Sequence, residues 1–457
     1  MQITPTIRTE IQSFLQEYSL STSQFATLCG LNVGTMSGIL TSNRPLSVHQ
    51  LDCVTKAMEK PEDHFYSHYV QECILETTVD WRRVHAFLLR CAEVSRLDCI
   101  AQVVSVLMEN AAYYATHVFE LAEEFFAHER YAAAEILYEN VALSERHQHS
   151  ERLAICQYRL FKIRVDNDQF QNFRAATFFE TFIERLDELQ QLDALKDVAN
   201  VYRSLREWDQ VEEVARKMKA KANIQYRMKH QQNSRERVAS YNQLSRPLFV
   251  YITYADLLCA SVCEARGDYQ QALKYTYAYA TLDWVKETDE TSVHWVSLFQ
   301  HWAEGNTYVN KLLSGDVSVL NDYVEYIAAS SEKEDNEMIS RLLNIMLAAN
   351  RYCLDVKDVL KRFGRFINTF AQQNSTDMYS KQVITEQRVR LNYELAKYYM
   401  RNEMYGEGFT FLISCLEQSS LINNKSYLYK SVRYESYETY ASPETKAAYR
   451  QFISIVD

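Results

Sequence analysis

Between Thr22 and Arg44 the chain gathers small, neutral hydrogen-bonding groups: Thr22, Ser23, Asn32, Thr35, Ser37, Thr41 and Asn43, with Val33, Gly34 and Gly38 among them and Arg44 at the end. Hydroxyls and amides of this size reach phosphate oxygens, and small residues let a helix come close to base edges. A second set lies downstream: Tyr158, Lys162, Lys196, Asn200, Arg203, Asn306, Asn310, Arg341, Asn344, Arg351, Arg390 and Lys397. Asn both donates to and accepts from a peptide backbone, and the guanidinium fork matches a carboxylate. The first set suits nucleic acid; the second suits an extended peptide with negative charge or an exposed carboxylate.

The chain has no nucleophile elbow, phosphate loop or His-Glu-x-x-His, and its 11 histidines do not cluster with acids at metal-ligand spacing. His147 and His149 lie in a polar stretch. No catalytic residue, metal site or cofactor is expected.

The first set must be positioned by short helices. Thr22 to Cys29 reads as one, with Phe25, Ala26 and Leu28 inward. Gly30 is the left-handed turn residue, and Asn32 caps a second helix from Val33 to Leu40. Ala26 is small enough for a close crossing, which Leu31, Met36 and Ile39 wedge. Ile7, Ile11, Phe14, Leu15 and Tyr18 form the stripe of an earlier helix. Ser47 caps a later one bearing Val48, Leu51, Val54 and Met58, which Pro61 ends, and Phe65, Tyr66, Tyr69 and Val70 mark another. This resembles the five-helix, helix-turn-helix DNA-binding domain of the Cro/phage-repressor type, whose second motif helix enters the major groove.

Composition places the remainder. Nine Gly and five Pro in 457 residues leave too little punctuation for a β-protein, so the chain is expected to be all-α. Its ten cysteines lie in apolar helical stretches without a Cys-x-x-Cys pair, which predicts reduced core thiols. No signal peptide opens the chain and no run of 18 apolar residues occurs; a soluble cytoplasmic protein without a membrane association is expected.

Beyond residue 80 a turn signature repeats: a polar pair, a bulky residue, then a small or apolar residue three later. It occurs at Gly267-Asp268-Tyr269 with Ala272, Glu129-Arg130-Tyr131 with Ala134, Glu207-Trp208 with Val211 and Glu403-Met404-Tyr405 with Gly408. Weaker copies centre on Leu97, Phe170, Val317 and Val356. Ala122, Ala199, Ala260 and Ala396 stand nine before the bulky residue, where a small side chain lets paired helices approach. The pattern resembles a degenerate tetratricopeptide repeat, whose α-solenoid has a concave surface suited to a peptide. The alternative is an irregular helical bundle.

If the bulky residue sets the register, positions 5, 8, 12 and 15 before it face the groove. Trp208 then selects Arg203, Asn200, Lys196 and Asp193; Val356 selects Arg351, Ala348, Asn344 and Arg341. Tyr405 selects Lys397, Tyr393 and Arg390, Phe170 selects Tyr158 and Lys162, and Asn306 and Asn310 fall near the groove in the Val317 unit.

Together these features resemble the RRNPP peptide-pheromone receptors of Gram-positive bacteria and their mobile elements (the Rap, Rgg, NprR, PlcR and PrgX group), with a layout like the phage arbitrium receptors. The resemblance spans the chain but rests on architecture rather than a family signature. It implies a DNA-binding domain over 1–75, a peptide-binding solenoid over 76–425 and capping or dimerisation helices over 426–457. It further implies a cytoplasmic homodimer that changes its hold on a double-stranded DNA operator when a short signalling peptide binds, Asn200 and Asn344 gripping the peptide backbone.

Two charge features cut across this. Residues 1–70 hold Arg8, Arg44, Lys56 and Lys60 against Glu10, Glu17, Asp52, Glu59, Glu62 and Asp63, giving no global attraction to phosphate. The second reading is therefore a receptor that has lost DNA binding and sequesters another regulatory protein. Arg216 to Arg246 reverses the chain's net charge of −11 with nine cations against Glu236, either an auxiliary anion-binding patch or a solvated helix and loop. Ser330 to Asn336 is a short acidic loop.

Overall fold

The computed structural model describes residues 6–41, 45–77, 79–147, 150–231, 244–330, 335–369 and 383–454, and among them every regular element is helical. The chain divides into two compact units, Met1–Ile163 and Arg164–Asp457.

The first unit holds α1 (Ile7–Glu17), α2 (Thr22–Leu28), α3 (Val33–Thr41), α4 (Val48–Ala57), α5 (Tyr66–Tyr69), which runs on as a π turn, α6 (Trp81–Glu93), α7 (Leu97–Met108), α8 (Ala111–Ala127), α9 (Tyr131–Ser144) and α10 (Glu151–Arg164). The second holds α11 (Gln169–Glu180), α12 (Gln190–Leu205), α13 (Trp208–Gln231), α14 (Leu248–Arg266), α15 (Tyr269–Ala280), α16 (Glu290–Ser314), α17 (Leu320–Ser330), α18 (Asp335–Tyr352), α19 (Lys357–Arg362), α20 (Gly364–Thr369), α21 (Thr385–Arg401), α22 (Tyr405–Leu421), α23 (Ser426–Ser431) and α24 (Pro443–Ile453).

One turn closes most of the hairpins. Ser95, Glu129, Arg206, Gly267, Gly315 and Glu403 have positive φ, each two residues before a bulky residue of the repeat signature. In each case the next amide bonds back to the carbonyl five residues earlier: Arg130 to Phe125 at 2.9 Å, Glu207 to Tyr202 at 3.0 Å, Asp268 to Cys263 at 2.9 Å, Met404 to Tyr399 at 2.9 Å. This is the Schellman closure, which satisfies carbonyls at the end of one helix and reverses the chain. Only Gly267 and Gly315 adopt it without steric cost; Glu129 (φ 59°), Arg206 (φ 63°) and Glu403 (φ 60°) adopt it as ordinary L-residues. So few glycines suffice because the hydrogen bond and packing hold the turn.

The small positions behave as close-contact points. Ala122, Ala199, Ala260 and Ala396 are buried, as are Ala134, Val211 and Ala272 on the opposing helices. The bulky residues themselves vary, with Tyr131, Phe170 and Val317 well exposed.

In the first unit, capping boxes at Thr6/Thr9, Ser21/Gln24 and Ser47/Gln50 start α1, α2 and α4. Gly30 turns at φ 66°, and the Asn32 Oδ1 accepts from the Gly34 amide at 2.7 Å to open α3. Phe25, Ala26, Met36 and Ile39 are buried, but Leu28 is 61% exposed. Phe25, Ala26 and Cys29 define the inward face of this short helix, and Leu28 lies more than a quarter-turn from its centre. Tyr18, also expected inward, caps α1 from the exposed side.

These helices are fastened to α6 and α7. The rings of Tyr66 and Tyr69 meet Phe87 at 5.3 and 4.9 Å. Arg90 bridges Asp52 (3.2 Å) and Glu62 (3.0 Å), and Arg96 bridges Asp63 (2.9 Å) and Asp98 (2.7 Å).

In the second unit α14 is a core helix. It alone among the described helices has the length and hydropathy to span a bilayer, yet 72% of its apolar window is buried within the protein, and it packs on α13 and α15. Four lysines of α13 are held in ion pairs: Lys217 with Glu213 at 2.8 Å, Lys219 with Asp256 at 2.5 Å, Lys221 with Glu184 at 2.8 Å and Lys229 with Glu287 at 2.7 Å. Residues 232–243 of the basic stretch, and 331–334 of the acidic loop, lie outside the described residues.

Candidate functional site

In the second unit α12, α14, α16, α17, α18 and the start of α21 enclose a cavity of about 530 Å³, within the size range of pockets that bury small ligands. α12 contributes Lys196, Asp197, Asn200 and Arg203 at the three-to-four-residue spacing of one helix face. α16 contributes Trp295, Leu298, Trp302, Gly305 and Asn306, and α18 contributes Glu337, Ser340, Arg341 and Asn344 in the same way. Val250, Tyr254 and Leu257 of α14, Tyr323 and Tyr326 of α17, Arg246, Ile384 and Gln387 complete the lining.

Six residues of the expected peptide-binding set thus share one cavity: Lys196, Asn200, Arg203, Asn306, Arg341 and Asn344. Asn200 and Asn306 are each held by a tyrosine. The Tyr254 hydroxyl donates to the Asn200 Oδ1 at 2.5 Å, and the Asn306 Nδ2 donates to the Tyr279 hydroxyl at 2.7 Å.

The others go elsewhere. Asn310, four residues or about one helical turn after Asn306, is fully buried; it donates to Glu264 of α14 at 2.8 Å and to the Asn306 carbonyl. Arg351 lies over the Tyr269 ring and donates to the Leu313 carbonyl at 2.9 Å, bracing a hairpin. Arg390 faces the buried Glu386 at 3.8 Å, and Lys397 faces Glu394 at 3.8 Å. None of these four lines the cavity. Tyr158 and Lys162 belong to the first unit, where Tyr158 is buried and the Lys162 ammonium lies 5.9 Å from the Phe126 ring centre.

Charge around the cavity is organised. Lys196 lies 3.5 Å from Asp193 and 3.3 Å from Asp197. Asp193 faces away from the cavity and anchors the segment entering α14: it accepts from the Ser245 amide at 3.0 Å and from the Tyr251 hydroxyl at 2.6 Å. Although burial opposes it, the nearby Lys196 ammonium and these donors hold the Asp193 carboxyl below its ordinary value, so the anchor is charged. Opposite, Glu337 takes the Trp302 indole N–H and the Arg341 guanidinium (2.5 Å), and Arg341 also donates to His301 at 2.8 Å. Behind Arg203, burial pushes the Glu264 carboxyl up to about 7, with Asn310 and Arg203 opposing the rise.

The register rule explains both what was found and what was missed. Counted from Tyr269 it selects Leu257 and Tyr254, and from Val317 Gly305 and Trp302, which line the cavity, but also Glu264, Ser261, Leu312 and Val309, which do not. The acids Asp197 and Glu337 and the aromatic Trp295 and Tyr326 have no signal in that spacing.

In the first unit, Ser23, Asn32, Val33, Gly34, Ser37 and Thr41 are exposed, while Thr22, Thr35 and Gly38 are half-buried. The α3 face bearing Val33, Gly34 and Ser37 is therefore open to a partner. The Thr41 hydroxyl bonds to the Ser37 carbonyl at 2.7 Å. Asn43 and Arg44, expected in this set, lie outside the described residues.

Compared with known proteins, the chain matches no family model, no curated protein and no solved structure.

Proposed function

We propose that the chain is a peptide-responsive DNA-binding transcriptional regulator of the RRNPP type, cytoplasmic and homodimeric, in which a tetratricopeptide-like second unit takes a short signalling peptide. The observation that carries this reading is the cavity in which Asn200, Asn306 and Asn344 reach one space from three different helices beside Lys196, Arg203 and Arg341. Amides from separate helices can grip the alternating N–H and C=O groups of an extended backbone. A ligand touching several helices at once can favour one arrangement of them, as any switch requires.

For the DNA end, support comes from the exposed small residues of α3, the backbone amides at its start and the glycine turn before it, an arrangement like a helix-turn-helix. The acidic balance of residues 1–70 counts less than the sequence suggests, because Asp52, Glu62 and Asp63 are paired with Arg90 and Arg96. That balance still favours the second reading, a peptide-responsive receptor that sequesters another regulator.

The deciding experiment co-purifies the protein with peptides encoded beside its gene and measures the mobility of the neighbouring promoter DNA with and without each. A peptide-dependent shift supports the regulator. Unchanged DNA mobility at low salt with every peptide would overturn it in favour of the second reading.

A further inference from the structure

The cavity is not uniform. Asn200 and Asn344 lie on α12 and α18, and Asn306 lies towards the C-terminal end of α16, while Trp295, Leu298 and Trp302 line the earlier turns of α16 with the buried Phe299 behind them, 6.0 Å from the Trp295 ring and 5.3 Å from that of Trp302. At Gly305 the wall is tight: an added Cβ would stand 3.3 Å from the Tyr326 ring. Such a surface is matched by one bulky apolar side chain rather than by backbone.

The cations differ too. Lys196 is committed to Asp193 and Asp197, and Arg341 to Glu337. Arg246 has no carboxylate partner among the described residues; its guanidinium lies 5.2 Å from the Trp295 ring centre and donates to its neighbour Ser245's carbonyl at 2.7 Å. The Asp193 anchor on Ser245 fixes the backbone from which Arg246 projects. A guanidinium poised on the face of a tryptophan presents its remaining donors beside an apolar wall.

A ligand that satisfies both must carry a carboxylate and a bulky apolar group within one residue's reach of each other. A C-terminal residue does so on a single Cα. Resting on the peptide-receptor reading above, we propose that the cavity takes the C-terminal end of its peptide, the last side chain being aromatic or leucine-sized against Trp295, Leu298 and Trp302, and the terminal carboxylate meeting Arg246.

The test uses the full chain and acetylated pentapeptide mixtures, randomised at four positions, with Phe, Leu, Ala or Asp fixed last and with free or amidated C-termini. Binding is read by tryptophan fluorescence and calorimetry. The Phe and Leu free-acid mixtures should bind more tightly than the Ala or Asp mixtures, and amidation should weaken them about tenfold, the effect of losing one charge-assisted contact. Arg246→Gln should bring the ratio of acid to amide affinity close to one. Gly305→Ala, which crowds Tyr326, should weaken the Phe mixture more than the Ala mixture.

If peptides bind but neither the last residue nor amidation matters, the C-terminal assignment falls and the peptide-receptor reading stands. If amidated mixtures with Asp at the last position bind best, the carboxylate comes from a side chain and the assignment is again overturned. If no mixture binds, this inference fails; loss of the gene-encoded peptides' effect as well would remove the receptor reading with it.

Discussion

The hydroxyl of Tyr254 on α14 donates to the side-chain carbonyl of Asn200 on α12 at 2.5 Å. The bond spans two helices that line the same cavity, so the asparagine's orientation is set before any ligand arrives. With Oδ1 engaged, the Asn200 amide N–H groups remain to face the cavity. Tyr279 engages Asn306 in the opposite sense, its hydroxyl accepting from the Asn306 Nδ2 at 2.7 Å.

Tyr254→Phe removes only that hydroxyl. Peptide affinity should fall by about three- to tenfold, the scale of one neutral hydrogen bond and its lost pre-organisation. Unfolding by urea should change by no more than about 1 kcal/mol. A calorimetric titration that shows unaltered affinity would remove the tyrosine from the binding argument.

Lys196→Ala, Asn200→Ala and Asn344→Ala each strip one polar group from the cavity wall. The peptide concentration needed for half-maximal change in operator mobility should rise for all three, while operator binding without peptide stays at the wild-type level. Three normal responses would contradict the placement of the peptide in this cavity.

Arg96 holds Asp63, Ser67 and Asp98 together and is largely covered. Arg96→Ala should lower the stability of the first unit by about 1–2 kcal/mol, part of the gross energy being lost to solvent screening. Hydrogen exchange should show the loss in α4 and α5 as well as in α7.

The left-handed turns predict opposite effects at two matched sites. Gly267 (φ 82°) has open space where a Cβ would go, so Gly267→Ala costs only backbone strain, about 1 kcal/mol. Glu129→Gly (φ 59°) relieves the same strain and should gain a comparable amount. Urea midpoints moving in the same direction for both would contradict the shared geometry.

Glu264 makes stability depend on pH. Its carboxyl, raised from 4.5 to about 7 mainly by burial, keeps its proton in the folded chain while the unfolded chain has lost it. Stability therefore falls as pH rises from 4.5 to 7 and levels above that window. Glu264→Gln should cancel this component, so the variant's advantage over the wild type should grow across that interval. A constant difference in melting temperature would exclude the carboxyl as its source.

How much was legible follows from these residues. The helical class was readable from the scarcity of Gly and Pro, and the hairpin boundaries from the bulky residues that start α7, α9, α13, α15 and α22. The cavity was readable wherever a helix runs straight into its turn, as Asn200 and Arg203 do before Trp208. It failed on α21, where Gln387 rather than Arg390 or Lys397 lines the space, and at Asn310, which turns to Glu264. There the deciding contacts come from other helices, and spacing along one helix carries no trace of them. Arg246 has no repeat register; only the Asp193 anchor places it.

If the chain is the regulator proposed above, the fastening of α4 and α5 to α6 and α7 through Arg90, Arg96 and Phe87 governs how a signal would reach the α3 face. A reading head on a slack tether would sample many spacings and ignore distant events. Here α4 and α5 are tied to two further helices, so, on the proposed regulator reading, a few degrees of tilt in that scaffold would be passed to the neighbouring α3 face as a translation, and the mechanical question becomes one of leverage rather than of tether length.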